Sequence, residues 1–111
     1  MTGGDPLAGA WVVVAVGGTP VPEGGEPPSL VFDGAGRVSG SGGVNRLAGP
    51  YAVDGDVLTA GPLMTTRMAG PPVWNDLEVR LLAALERPLR ITAGGDRLTL
   101  GDVDLVRAPA A

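Results

Sequence analysis

Residues 38–59, VSGSGGVNRLAGPYAVDGDVLT, carry five glycines in 22 positions around a single Asn45–Arg46 pair. The second half of this stretch predicts a β-hairpin, because an Asp-Gly pair typical of a type I′ turn is flanked on both sides by alternating apolar residues. The first half continues a predicted strand, residues 37–41, which a Gly-Ala-Gly turn joins to another at residues 30–33. Consecutive hairpins of this kind indicate an antiparallel sheet.

The glycines before Asn45 admit a phosphate-binding or a structural interpretation. A phosphate-binding loop needs a lysine at P-loop spacing, or three glycines that open a helix after a strand. The chain has no lysine, and the glycines are followed by Pro50 and a strand. Glycine beside a strand marks a bulge or a close approach of two backbone segments, and asparagine tolerates the left-handed region. We therefore expect Asn45 and its glycine neighbours to shape the backbone.

The rest of the chain predicts further strands. An apolar run at residues 10–16 predicts a strand that needs cover on both faces or a central place in a curved sheet. A loop rich in proline and glycine follows at residues 17–29, and a further strand is predicted at residues 63–70. Three short strands joined by tight turns are predicted at residues 89–93, 97–100 and 103–106.

A single helix is predicted at residues 73–87, opened by two prolines and ended by Pro88. The residues on its apolar face are Leu77, Leu81, Ala84 and Leu85. Such a helix needs a sheet to lie against. We therefore expect an α+β, β-rich fold: a curved antiparallel sheet or incomplete β-barrel of about eight strands, with one main α-helix packed against its concave side or open end.

Length and composition limit what the chain can be. Its 111 residues predict one domain, residues 1–111. Eight arginines stand against twelve acidic residues, and this net charge of −4 without a basic cluster disfavours nucleic-acid binding. The absence of cysteine and histidine excludes structural zinc, thiol catalysis, a histidine general base and disulfides.

The apolar run at residues 10–16 is also the place to look for a targeting segment. It is too short to cross a membrane and has no positive segment before it, so neither a membrane span nor a signal peptide is predicted. The chain as written is expected in the cytoplasm, and an exported protein whose leader has been removed is the alternative. The missing cysteines do not separate the two, because an exported protein can also lack them.

Residues 33–70, DGAGRVSGSGGVNRLAGPYAVDGDVLTAGPLMTTRMAG, contain an ordered series of short motifs. They are a Gly-Arg-Val-Ser-Gly strand, a Gly-X-Asn-Arg turn, a Gly-X-Tyr strand, an Asp-Gly-Asp-X-Leu-Thr hairpin and a Thr-X-Met-Ala segment before the helix. This series resembles the signature of the META domain family, which includes the bacterial heat-shock lipoprotein HslJ. The likeness extends from the strand of Trp11 to the closing DRLTL at residues 96–100 and so covers nearly the whole chain.

The resemblance implies a curved, incomplete antiparallel barrel with the helix against its opening. It also implies a link to stress or drug tolerance, without established catalytic residues. The signature positions matched here are Gly43, Asn45, Arg46, Gly49, Tyr51, Thr66 and Met68. We expect structural roles for them, with Asn45 in a turn and Tyr51 and Met68 in the core. Where the family commonly has two cysteines this chain has Val44 and Gly70, and we expect Val44 to fill space near Gly70.

Three functions stay open. The first is a non-enzymatic domain that binds a protein partner or a small apolar ligand, at the open end or concave face of the barrel and at the loop of residues 19–28. The second is a carboxylate-based hydrolase, since acids are the only general bases left. Its candidate residues are Asp33, Asp54, Asp56, Asp96, Asp102 and Asp104. The third is self-association through unpaired sheet edges.

No cofactor and no metal site are predicted. The Asp-Gly-Asp and Asp-Val-Asp sequences suggest calcium, but they lack the remaining ligands of a calcium-binding loop. In solution we expect a monomer or a weak homodimer.

Overall fold

The computed structural model describes residues 7–109, so the predicted single domain, residues 1–111, extends beyond the described range at both ends. Ten strands and one helix occur in this range. They are β1 (Gly9–Val16), β2 (Thr19–Pro20), β3 (Ser29–Phe32), β4 (Arg37–Ser41), β5 (Arg46–Asp54), β6 (Val57–Ala60), β7 (Met64–Thr65), α1 (Pro72–Leu85), β8 (Leu89–Gly94), β9 (Arg97–Leu100) and β10 (Val103–Arg107).

Eight of the strands form an antiparallel barrel in the order β1-β3-β4-β5-β6-β8-β9-β10. Pairing of β10 with β1 closes it, whereas β6 and β8 are joined by two residue pairs. The two short strands lie outside this circuit: β2 pairs with the end of β1, and β7 with the first half of β5. The expected curved antiparallel sheet of about eight strands with one helix is confirmed, and its two edges meet so that the barrel is closed.

The hairpin of β5 and β6 is confirmed, but its turn differs from the predicted one. Asp54 pairs with Val57, so Gly55 and Asp56 are the central residues of the turn. Gly55 has a φ of +64°, and no non-glycine residue in the described range has a positive φ. A type I′ turn needs positive φ at both central positions, whereas glycine at the first position alone fits a type II′ turn. The type I′ prediction is therefore wrong, because the observed register shifts the turn by one residue.

Two other predicted segments differ from the structure. The predicted loop at residues 17–29 contains β2. The predicted strand at residues 63–70 is reduced to β7, because the backbone N–H and C=O of Met68 bond to the side chain of Asn45 rather than to a neighbouring strand. Both predictions are wrong in this respect.

β1 lies between β3 and β10, so the expected central place of its apolar run in a curved sheet is confirmed. Trp11 and Val13 are buried, whereas Val14, beside a β-bulge, is 37% exposed. The indole Nε1 of Trp11 donates to the backbone carbonyl of Leu7 at 2.8 Å. The guanidinium carbon of Arg107 lies 4.3 Å from the centre of the Trp11 ring, which adds a cation–π contact.

α1 covers one end of the barrel, as expected. Its first half contacts the loop between β4 and β5, and its second half lies beside the end of β1 and the turn between β9 and β10. The helix ends at Leu85 with Glu86 as its C-cap, two residues before the predicted end. Leu77, Leu81 and Leu85 are buried as predicted, and each contributes about 1.5–3 kcal/mol to stability by leaving water.

Candidate functional site

Asn45 is the centre of a polar network at the start of β5. Its Oδ1 accepts hydrogen bonds from the hydroxyl of Thr66 at 2.8 Å and from the backbone N–H of Met68 at 2.6 Å. Its Nδ2 donates to the backbone carbonyl of Met68 at 3.0 Å. The Thr66 hydroxyl oxygen in turn accepts from the backbone N–H of Arg46 at 3.0 Å. Because one side chain binds both backbone groups of Met68, Asn45 fixes residues 66–68 beside β5.

Glu78 of α1 completes this network. Its Oε1 accepts from the backbone N–H groups of Val44 at 3.0 Å and Asn45 at 2.6 Å, and its Oε2 accepts from Nδ2 of Asn45 at 2.7 Å. Glu78 is 6% exposed and Asn45 is 8% exposed. A carboxyl group removed from water needs such partners, and bonds to a charged acceptor are about twice as strong as neutral ones. The network therefore ties the helix to the wall of the barrel.

The glycines of the β4–β5 loop lie where this wall meets α1. A Cβ added at Gly42 would be 2.7 Å from Cγ of Glu78. Gly43 has a φ of +112°, and a Cβ there would be 3.3 Å from Cε3 of Trp74. Contacts below 3.4 Å force a neighbour to move, so larger side chains at these positions would push the loop away from the helix.

The segment that enters α1 is held by two further contacts. The side chain of Asn75 accepts from the backbone N–H of Gly70 at 3.0 Å and donates to its carbonyl at 2.7 Å. A Cβ added at Gly70 would be 2.9 Å from Cγ2 of Val44. The expected packing of Val44 near Gly70 is confirmed, so apolar contact occupies the place where the resemblance puts a cysteine pair.

Gly49 and Tyr51 contribute to the packing of β5. A Cβ at Gly49 would be 2.7 Å from the carbonyl oxygen of Pro62. Tyr51 is 8% exposed, its ring meets that of Phe32 edge-on at 5.0 Å, and its hydroxyl accepts from the backbone N–H of Gly34 at 3.1 Å. The predicted core position of Tyr51 is confirmed.

Met68 and Arg46 present their side chains to solvent. Met68 is 60% exposed, so its predicted core position is wrong. The reason is that the network holds the backbone of Met68 and makes no use of its side chain. Met64 is 78% exposed in the same segment. The side chain of Arg46 is exposed next to a groove on the outer surface.

Glu78 is absent from the residues predicted to form a site, although the sequence contains a local signal for it. It lies four residues after Trp74 and three before Leu81, both of which are buried. Residues at this spacing share one face of a helix, so Glu78 interrupts an apolar stripe. A buried charge needs hydrogen-bond partners, and Asn45 in the glycine-rich loop is a candidate partner that the sequence offers.

The six acids considered for a hydrolase lie in four different hairpins. Asp33 follows β3, Asp54 ends β5, and Asp56 lies in the β5–β6 turn. Asp96 lies between β8 and β9, and Asp102 and Asp104 belong to the β9–β10 hairpin. The backbone N–H groups of Ala35 and Arg37 donate to Oδ1 of Asp33, which lowers the pKa of its carboxyl group below the ordinary value of 3.8. Within residues 7–109, no three acidic side chains are grouped so that they could hold a metal ion.

The barrel interior is filled, and the main depressions of the surface lie outside it. The side chains that are at most 1% exposed include Trp11, Phe32, Leu58, Leu98, Leu105, Leu77 and Leu81. A groove of about 620 Å³ runs over the outer face of β4, β5 and β7, and we call it the outer groove. A second groove of about 410 Å³ is lined by residues 60–63, Thr65, Leu82 and Glu86, and we call it the β7–α1 groove.

These observations define a class of protein: a closed antiparallel barrel with one helix across its end, joined to the barrel wall by a buried Asn–Glu network. Residues 5–109 match the family model of the META domain, and the chain belongs to this family. The resemblance seen in the sequence is thereby confirmed over nearly the whole chain.

Two solved structures share the fold. A protein solved by NMR is 25% identical, with a TM-score of 0.74 and 93% of each chain covered. A protein from Burkholderia xenovorans, also solved by NMR, is 25% identical with a TM-score of 0.70, and the likeness covers 99% of this chain and 92% of that one. No curated protein sequence matches the chain. In the part of the chain that the structure describes, no helix combines the length and apolar character needed to cross a membrane.

Proposed function

We propose that this META domain is non-enzymatic and binds a protein partner on its outer surface. The observation that carries the proposal is the filled interior: Phe32, Leu58 and Leu98 are each at most 1% exposed inside the barrel. An apolar ligand would have to displace such side chains, and removing one large apolar side chain from a core costs about 2–5 kcal/mol. Glu78 also joins the helix at the barrel end to Asn45, so the helix is fixed over this end.

Exposed apolar side chains support an outer binding surface. Met64 and Met68 are 78% and 60% exposed on the segment before α1, and Val73 and Val79 are 54% and 65% exposed on the helix itself. Methionine adapts its shape to different partners and is common at binding surfaces. Asn45 fixes the segment of Met68 to the barrel, and its bonds with Glu78 fix the helix, so both elements that carry these side chains are preorganised.

The placement of the candidate acids supports a non-enzymatic role. Glycoside hydrolysis by a pair of acids needs two carboxyl groups on either side of one bond, about 5–10 Å apart. The six aspartates are distributed over four hairpins, and five of them are exposed to solvent. The proposed setting in stress or drug tolerance rests on the family resemblance alone.

The test compares a small ligand with a protein partner. We expect flat thermal-shift curves with lipids, aminocoumarins and hydrophobic dyes, and saturable binding of a partner protein that is purified after chemical cross-linking in cells. Replacing both Met64 and Met68 with serine should weaken that binding at least tenfold. Val14→Ser, which changes an apolar residue exposed on β1, should leave it unchanged. A saturable shift with a small apolar molecule, or equal binding by the double variant, would contradict the proposal.

A further inference from the structure

One edge of β7 pairs with β5, and the opposite edge pairs with no described strand. Among the described strands β7 pairs with β5, through Thr65 opposite Leu47 and Met64 opposite Ala48. The backbone N–H of Thr66 donates to the carbonyl of the β5 residue opposite it at 3.1 Å. Thr66 therefore belongs to a hydrogen-bonded pair. Hydrogen-bonded and non-hydrogen-bonded pairs alternate along an antiparallel ladder, so the neighbouring pair of Thr65 and Leu47 is not hydrogen-bonded. The backbone N–H and C=O of Thr65 therefore point away from β5.

The edge of β7 that pairs with no described strand borders the β7–α1 groove. Thr65 lines this groove as well as the outer groove, and the half-buried apolar side chains of Leu63 and Leu82 also line the β7–α1 groove. Its volume of about 410 Å³ falls within the range typical of binding sites. A strand edge that faces a groove is the arrangement in which an extended peptide adds as a further strand, with main-chain bonds for affinity and side-chain pockets for specificity.

The charge of the groove indicates what kind of peptide fits. Glu86 is the charged residue that lines it, and its carboxyl group forms none of the ion pairs found among residues 7–109. Glu86 is the C-cap of α1, and the last turn of the helix has no basic residue to balance the negative end of its dipole. The neighbouring Arg87 lines a different depression, beside Arg80 and Asp102. A positive side chain is therefore the complement of this groove.

We propose that the β7–α1 groove binds an extended, apolar and basic peptide segment of a protein partner. The segment pairs with the backbone of Thr65 as an added strand, packs an apolar side chain between Leu63 and Leu82, and places a lysine or arginine on Glu86. The inference rests on the proposed function and names the chemistry of the partner.

The probes are two seven-residue synthetic peptides with blocked ends, in which leucine and threonine alternate around one central lysine or one central glutamate. They are titrated into the isotope-labelled chain and followed by NMR. We expect shifts at Thr65, Leu82 and Glu86, and slower amide hydrogen exchange at Thr65 when the lysine peptide is bound. The lysine peptide should bind several-fold more tightly than the glutamate peptide.

Thr65→Pro removes the N–H that would pair with the peptide, and the β5 ladder is kept because that N–H takes no part in it. Binding of the lysine peptide should fall about tenfold, the loss expected for one backbone hydrogen bond. Thr65→Val keeps the N–H and serves as the control, with unchanged binding. Glu86→Gln should reduce the preference for lysine over glutamate by about two- to fivefold.

The results separate this inference from the proposed function. Shifts confined to the outer groove, or full binding by a well-folded Thr65→Pro variant, would overturn the inference and leave a protein-binding domain. Failure of both peptides to bind at millimolar concentration, or unchanged exchange at Thr65, would overturn it as well. The experiment with Met64 and Met68 would then decide the proposed function independently.

Discussion

Glu78→Gln is expected to destabilise the domain by about 2–3 kcal/mol, because it converts one buried acceptor into a donor. The amide oxygen of the new side chain can keep the bonds from the backbone N–H groups of Val44 and Asn45. Its NH₂ group then faces Nδ2 of Asn45, which is 2.7 Å from the carboxyl oxygen in the present structure. Asn45 cannot turn its amide to relieve this, because it would lose its bonds from the Thr66 hydroxyl and the Met68 N–H.

Urea unfolding at neutral pH measures this effect. A small domain is stable by about 5–15 kcal/mol, and the unfolding free energy falls by about 1–3 kcal/mol per M urea. A loss of about 2–3 kcal/mol should therefore lower the midpoint by about 0.7–3 M. Glu86→Gln is the matched control on the same helix, since this exposed side chain is outside the network, and it should stay within about 0.5 kcal/mol of wild type. A change below about 0.5 kcal/mol for Glu78→Gln, with an unchanged slope, would refute the reasoning that its carboxyl group joins α1 to the barrel.

Three further changes test other contacts. Gly42→Ala should cost about 1–3 kcal/mol in urea unfolding because its Cβ would lie 2.7 Å from Cγ of Glu78, whereas Gly94→Ala, which meets nothing within 4 Å, should be nearly neutral. Leu81→Ala should lower stability by about 2–5 kcal/mol through the cavity it leaves under α1, which thermal unfolding would show as a large fall in Tm. Asp33→Asn should lower stability at neutral pH, because the folded state holds the pKa of this carboxyl group below its value in the unfolded chain. That contribution is present above pH 3.8 and is lost as the pH falls through the lower folded pKa, so the stabilities of the two proteins should converge in acid, and a constant difference would contradict the assignment.

Much of the fold could be predicted because its signals are local. Alternating apolar residues and short glycine turns identify the hairpins, and the spacing of Leu77, Leu81 and Leu85 identifies the helix. The turn after Asp54 was placed one residue too early, since register depends on which side chains of both strands face the core. Closure of β1 on β10 joins strands at opposite ends of the chain, and no local pattern encodes it.

The site was predicted less completely because its bonds are not local. Asn45 and Glu78 are 33 residues apart, so neither has a neighbour in sequence that reveals the other. Met68 was placed in the core because methionine is usually apolar filler, yet Asn45 captures its backbone and its side chain is exposed. Local sequence patterns predict strands and helices well. The partner of a buried polar side chain depends on how those strands and helices pack.

The network holds the backbone next to β7, whereas other side chains line the β7–α1 groove, and this difference has a functional consequence. Asn45 bonds the backbone of Met68 and the hydroxyl of Thr66, so the direction of the β7 edge is set by the network and does not depend on the side chains at the groove. The side chains of Leu82 and Glu86 are outside that network and can change without disturbing it. We therefore expect the buried network around Asn45 to keep the edge of β7 in one orientation. Substitutions along the β7–α1 groove should instead alter which peptide segment pairs with this edge.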